Sequence, residues 1–444
     1  MSQETAAQAI SADGQLMSVE ARSERRSSRL RSLLRLLGPG LITGAANDDP
    51  SAIGTYAKAG AAFGFSLLWL APLIFPMVAG AVFLCSKLGM TTGMGIAGVL
   101  RRYYSRRLLY PVVIAVMIAN IVEAGVDLGA IAAAIQLLVP IPTTVIILGI
   151  PGLILGLQTW GSYALLQKTF KWLALALFSY VGAAVLARPD WSEVIRGTLT
   201  PNFGLNANFL SVIVAITGAS LSPYLYFWQA SQKVEEKIAN GCHDQSGRHV
   251  TSDGELRETA WNVTLGMLFS CLILYFVMLC TGATLFRSGQ TSIDSAHAAA
   301  QALAPLAGDA ARALFAVGVI AVGILAVPVL TSGAAYALAE TFGWRHSLNQ
   351  KPEHAPEFYA VIALSTCVAV AIGFSHINPI NALFWAALLM GLLAPPLMFI
   401  IMRITNNREI MGERANGVAI NLLGWITTGA ISAATLALIW SWLR

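Results

Sequence analysis

Eleven stretches of this chain are apolar over the length of a bilayer, and this pattern constrains the fold more than any motif. They fall at 37–60, 65–88, 109–138, 143–159, 166–187, 207–232, 259–286, 311–341, 357–375, 379–403 and 418–442. About 20 apolar residues cross the hydrocarbon as a helix, and inside it every backbone polar group must be bonded within the protein. The expectation is an all-α polytopic membrane protein with eleven transmembrane helices. Only 11% of the residues are charged, against about 25% in soluble domains. The net charge of +5 is therefore read through topology and not as affinity for nucleic acid.

Twenty-two of the 28 Lys and Arg fall on one side of the membrane when the N-terminus is placed inside. Basic residues accumulate in cytoplasmic loops, so the reading is a multi-pass protein of the cell (inner or plasma) membrane with a cytoplasmic N-terminus. An odd helix count puts the C-terminus on the extracytoplasmic side. Residues 1–36 lack the apolar core of a signal peptide and hold Arg22, Arg25, Arg26, Arg29, Arg31 and Arg35 among serines. They read as a disordered basic tail at the cytoplasmic lipid surface; the lipid bilayer is the first partner.

Two of the runs are broken. In the first, small residues lead into Asn47-Asp48-Asp49-Pro50-Ser51 before the apolar character resumes. Proline lacks a donor and clashes with the preceding turn, and the residue before it is pushed out of helical geometry. A carboxylate at membrane depth costs several kcal/mol (~2.5–3.5 on insertion scales) and normally faces a cavity or pathway. An ordinary aqueous loop between two short helices is the bland alternative. It loses weight because the sixth run breaks in the same way, at Gly218-Ala219-Ser220-Leu221-Ser222-Pro223.

Pro50 and Pro223 thus each interrupt the first helix of a five-helix block, and matched interruptions of this kind point to a transporter site between two repeats. The chain divides accordingly into the tail 1–36, a first repeat 37–187, an extracytoplasmic loop 188–206, a second repeat 207–403 containing a cytoplasmic loop 233–257, and a cytoplasmic loop with helix 11 over 404–444. Because five is odd, the second repeat is inverted. The first half-helices then end near the midplane with free carbonyls and partial negative charge, which suits a cation.

The third run carries Asn120, Glu123 and Asp127 on one helical face. Such a stripe reads either as a proton or ion path or as a polar seam bonding neighbouring helices. Asn378 and Asn381 read as a helix cap or as ligands. Thr331 and Ser332 follow Pro328 and more simply serve the backbone that the proline disturbs. Cys242, His243 and His249, with Asp244 and Asp253, lack tight metal-ligand spacing. No HExxH, P-loop or GxSxG sequence is present, so no enzyme activity and no cofactor are expected.

These residues resemble the Nramp family of divalent-metal transporters. Gly38-Pro39-Gly40-Leu41-Ile42 is similar to that family's entry to helix 1, and Asp49-Pro50-Ser51-Ala52 stands where it has Asp-Pro-Gly-Asn. Ala59-Gly60-Ala61 with Phe63-Gly64-Phe65 and Leu67-Leu68-Trp69 resembles its helix 1–2 passage. Lys87-Leu88-Gly89 with Thr92-Gly93 is similar to Arg-Leu-Gly and Thr-Gly, Asp127-Leu128-Gly129-Ala130 to Asp-Leu-Ala-Glu, Gly218 to Pro223 to its helix 6 stretch, and Met411-Gly412-Glu413 to Met-Gly-Glu. The resemblance implies a LeuT-type 5+5 inverted repeat with broken helices 1 and 6. It also implies a metal site at Asp49, Ala52, Ser222 and the Ala219 carbonyl.

The departures fall on the chemistry. The family's helix 6 Met becomes Ser222, its helix 1 Asn becomes Ala52, its helix 6 His becomes Tyr224 and its helix 3 Glu becomes Ala130. Losing the thioether disfavours soft metals, whereas oxygen ligands suit magnesium and manganese. Asp48 and Ser51 add oxygens. The expectation is a secondary transporter or facilitator of a hard divalent cation, Mg²⁺ or Mn²⁺, with weak or no proton coupling. Its metal-binding set would be Asp49, Asp48, Ser51, Ala219 and Ser222. The alternative is a carrier of an organic cation or other small solute, held by Tyr224, Tyr226, Trp228 and Gln229 through cation–π attraction.

Overall fold

A computed structural model describes Gly44 and residues 47–160, 177–204, 206–239, 251–293, 296–301, 308, 311–374 and 378–444. The described residues contain no strand. The helices are α1 (Pro50–Phe63), α2 (Leu70–Thr92), α3 (Ile96–Tyr103), α4 (Arg106–Gln136), α5 (Thr143–Trp160), α6 (Phe178–Leu186), α7 (Trp191–Leu199) and α8 (Ala207–Ser220). They continue with α9 (Pro223–Ala239), α10 (Asp253–Thr281), α11 (Ala296–Gln301), α12 (Ala311–Phe342), α13 (Pro356–Gly373), α14 (Pro379–Asn406), α15 (Arg408–Met411) and α16 (Val418–Leu443). Among the described residues eight helical stretches are long and apolar enough to cross a membrane, α8 and α9 together making one of them. The basic tail, most of the first half of helix 1, residues 161–176 of the fifth run and the Cys242–His249 stretch lie outside the described residues.

Both breaks are present. Asn47 is helical, Asp48 and Asp49 are not, and α1 starts at Pro50. Asp49 is extended (φ −66°, ψ 172°) and caps α1, its Oδ1 accepting from the Ala52 amide at 2.7 Å. Proline at the first helical position loses nothing there, because its missing N–H is one the helix start leaves unpaired anyway. The second break has the same plan: α8 ends at Ser220, Leu221 leaves helical geometry (φ −99°, ψ 50°), and α9 restarts at Pro223.

Close backbone approach holds these half-helices at the centre. A Cβ on Gly218 would sit 2.2 Å from the Gly391 amide and 2.3 Å from the Ala387 carbonyl, so α8 and α14 touch backbone to backbone. Gly44 meets α10 the same way: a Cβ there would sit 2.1 Å from the Gly266 carbonyl oxygen. The long helices α4 and α12 form the most extensive helix pair. Large apolar residues such as Leu364, Val368, Leu422, Ile426 and Leu436 stay on the outside of α13 and α16, the surface a bilayer would cover.

Helices enter both expected loops. In 233–257, α9 continues to Ala239, with Lys233 and Glu236 paired at 2.5 Å, and α10 begins at Asp253. There Ser252 and Glu255 form a reciprocal capping box, a start signal worth about 1 kcal/mol. The expected loop 188–206 contains α7, whose N-terminus Asp190 caps through the Ser192 amide.

Candidate functional site

Sequence reads Glu123 and Asp127 either as a proton or ion path or as a polar seam, and the fold brings both to the helix 1 break. One oxygen from each of Asp49, Glu123 and Asp127 lies within 4.8 Å of the others, and all three residues are buried. Ser51 links two of them: its hydroxyl bonds Asp49 Oδ1 at 2.9 Å and also Glu123 Oε1. A serine has one hydroxyl hydrogen, so it satisfies one of these acceptors and leaves the other short of a donor. Tyr224, at the start of α9, donates to Asp49 Oδ2 at 3.0 Å. Thus α1, α4 and α9 all reach the site.

Other buried carboxylates differ in kind. Glu340 accepts from the Gly95 and Gly98 amides and from Ser231 at 2.9–3.1 Å, closing the N-terminus of α3. Glu235 accepts from Tyr336, the Leu348 amide and Asn349 at 2.5–3.1 Å. Each is saturated by donors and reads as structural. By contrast neither oxygen of Asp127, nor Glu123 Oε2, has a hydrogen-bond partner of ordinary geometry among the described residues. A buried charge without partner or counter-charge is expensive, and like charges about 4 Å apart repel by roughly 4 kcal/mol even at an effective dielectric of 20. Such a cluster holds together only when its charge is neutralised, by bound protons or by a cation.

The remaining candidates separate. Asp48 turns toward α10, where Ser270 donates to it at 2.8 Å. Ser222 donates to the Gly218 and Ala219 carbonyls at 3.1 and 2.8 Å, closing the end of α8. Asn120 donates to the Leu330 carbonyl on α12 at 3.3 Å, the seam role. Asn378 caps α14 and Asn381 accepts from Lys58 at 3.2 Å. Thr331 and Ser332 bond back to the Val327 and Pro328 carbonyls. Asp253 pairs with Arg414. The aromatic pocket is also divided: Tyr224 points at Asp49, Gln229 at Ser86 of α2 at 3.0 Å, and Trp228 packs beside Gly333 of α12. Tyr224 and Trp228, four residues apart, share a face of α9, whereas Gln229 turns to α2.

Ala130, where the resembling family carries Glu, lines a narrow apolar cleft with Pro50, Ile53, Ala57, Phe315 and Leu383. What sequence reasoning missed was the meeting of α4 with the break. The i, i+3, i+7 spacing marked a face of α4, but not what that face packs against.

An all-helical membrane fold with two interrupted helices, and a partly unsatisfied carboxylate cluster at one interruption, defines a LeuT-type transporter architecture. The Nramp family pattern, described as natural resistance-associated macrophage protein-like, matches residues 40–441, and the chain belongs to that family. It is 27% identical over 439 residues to the divalent metal cation transporter MntH of Verminephrobacter eiseniae, covering 95% of this chain and 93% of that protein. It is 24% identical over 430 residues to MntH of Brucella suis, covering 94% and 91%. In fold it is similar to the Eremococcus coleocola manganese transporter, with TM-score 0.70, 20% identity, and 93% and 87% of the two chains covered. It is also similar to Mhp1, a nucleobase-cation-symport-1 family transporter, with TM-score 0.57, 15% identity and coverage of 91% and 92%.

Proposed function

We propose that the chain carries a hard divalent cation, Mg²⁺ or Mn²⁺, across the cell membrane, binding it at Asp49, Glu123 and Asp127 with Ser51 as an added oxygen. The unpartnered Asp127 carboxylate within 4.8 Å of two others is the observation that carries this reading. Family membership and the MntH relatives support the substrate class. All the side-chain ligands are oxygens, the donor set of magnesium, calcium and manganese. Within this proposal Ala219 and Ser222 remain the carbonyl and hydroxyl at the end of α8, available once the hydroxyl turns from its own helix. The N-terminus is cytoplasmic and the C-terminus extracytoplasmic, as the basic residues indicate, and the two five-helix repeats rock about the breaks.

Selectivity tests the ligand set. In proteoliposomes loaded with ion-sensitive dyes, Cd²⁺ should not outrun Mg²⁺ by more than about tenfold, equivalent to about 1.4 kcal/mol. A strong preference for Cd²⁺ would require a soft ligand and would refute an all-oxygen site.

Coupling is a second test. Tyr224 is engaged with Asp49 and Ala130 lies in an apolar cleft, so two groups of the family's proton route are absent. Uptake is then driven by the cation gradient and the membrane potential, which is worth about 4.6 kcal/mol per 100 mV for a charge of +2, twice the single-charge value. With potential clamped by valinomycin, a trapped pH dye should report no acidification that scales with cation uptake. Acidification in proportion to uptake would make the carrier a proton symporter.

A further inference from the structure

Asp48 and Asp49 are neighbours in sequence but belong to different surroundings. Asp49 faces α4 and α9, whereas Asp48 faces α10. The Asn47 amide donates to Ser270 Oγ at 3.1 Å, and Ser270 donates in turn to Asp48 Oδ1 at 2.8 Å. This chain of donors leaves two oxygens over. Asp48 Oδ2 and Asn47 Oδ1 are both buried without a hydrogen-bond partner among the described residues, and both side chains are 0% exposed. Both side chains reach the same serine oxygen, so the two leftover oxygens belong to side chains joined through Ser270. Tyr56 and Ser220, 3.0 Å apart, stand nearby and engage each other.

We propose that Asn47, Asp48 and Ser270 form a second cation site that takes a monovalent alkali ion, with Na⁺ the ion to test. The charge count sets the valence. The Asp49 cluster offers three carboxylates, which a divalent ion together with one proton would neutralise. The Asp48 enclosure offers one carboxylate, one amide oxygen and one hydroxyl, so a single positive charge neutralises it. Carboxylate, amide and hydroxyl oxygens are hard ligands and suit an alkali ion. The cation also supplies the partner that Asp48 Oδ2 lacks. Because Asp48 and Asp49 are adjacent in the non-helical break before α1, an ion at one site stiffens the segment that positions the other. Coupling between the two sites is reciprocal in binding.

The test is equilibrium binding of radioactive Na⁺ to the purified full-length protein, with choline replacing Na⁺ at constant ionic strength. Thermal melting in NaCl against choline chloride gives a second readout on the unmodified chain. Saturable Na⁺ binding and a higher melting temperature in NaCl are expected. Asp48→Asn and Ser270→Ala should each weaken Na⁺ binding at least tenfold, while Asp127→Asn should leave it within about twofold. Absence of saturable binding and of a Na⁺-dependent melting shift in the unmodified protein overturns the proposal. Binding that survives Asp48→Asn but disappears in Asp127→Asn overturns it too, since the ion would then sit in the carboxylate cluster. Mn²⁺ and Mg²⁺ uptake measured in Na⁺-free choline buffer keeps this result separate from the divalent reading, which can stand or fall on its own.

Discussion

Asp127→Asn should reduce divalent-cation uptake at least about 100-fold, a loss of about 2.8 kcal/mol or more, while leaving the protein as stable as before or more so. The two effects have one cause. Asp127 is buried with neither carboxylate oxygen in a hydrogen bond of ordinary geometry, so its charge contributes nothing to the fold that a neutral amide would lose. Burying an unsatisfied polar group costs about 1–3 kcal/mol, and more when it is charged. Removing the charge relieves that cost and the repulsion with Asp49 and Glu123. Uptake into proteoliposomes and thermal melting in detergent, measured on the same preparation, check both halves. Normal uptake would remove α4 from the site. Lost uptake together with a collapsed melting temperature would instead make Asp127 a structural residue like Glu340.

Asp49→Asn is the second large effect, and here structure and chemistry must be separated. Asp49 caps α1 through Oδ1, and losing a cap outright costs about 1 kcal/mol. Asparagine keeps an oxygen at that position and is itself a strong capping residue, so the helix start should survive. What disappears is the charge, together with the acceptor that Tyr224 now uses at 3.0 Å. An asparagine amide facing the tyrosine hydroxyl would leave two donors opposed unless one turns away. Uptake of Mn²⁺ or Mg²⁺ should fall at least about 100-fold, with a melting temperature within a few degrees of the unmodified protein. Asp49→Ala, which loses both cap and charge, should be equally inactive and also less stable. Undiminished transport in Asp49→Asn at normal expression would place the substrate elsewhere. Because Asp49, Glu123 and Asp127 act as one cluster, a double variant should be little worse than either single one.

The class of fold was legible in the chain alone. Apolar runs of spanning length leave the backbone no alternative to helix at membrane depth, and the described helices follow those runs closely. Both interruptions were legible too, because proline acts through its own ring and missing N–H whatever packs around it. Asp49 and Ser51 stood out for the same local reason. The destination of α4 did not. A helical stripe such as Asn120, Glu123 and Asp127 specifies a face, but packing between helices settles that Glu123 and Asp127 meet the break while Asn120 is spent on the Leu330 carbonyl. Sequence marked Asp49 as the principal carboxylate and Asp48 as the one the unwound segment could turn away, but not what Asp48 turns toward. The two side chains part at the break, and which neighbour lies on each side, Ser270 for Asp48 and Tyr224 with Glu123 for Asp49, is settled by the approach of α10, α9 and α4. Helix periodicity is a property of the chain alone, whereas the convergence of buried charges depends on which helices close contacts such as Gly44 with Gly266 and Gly218 with Gly391 bring together.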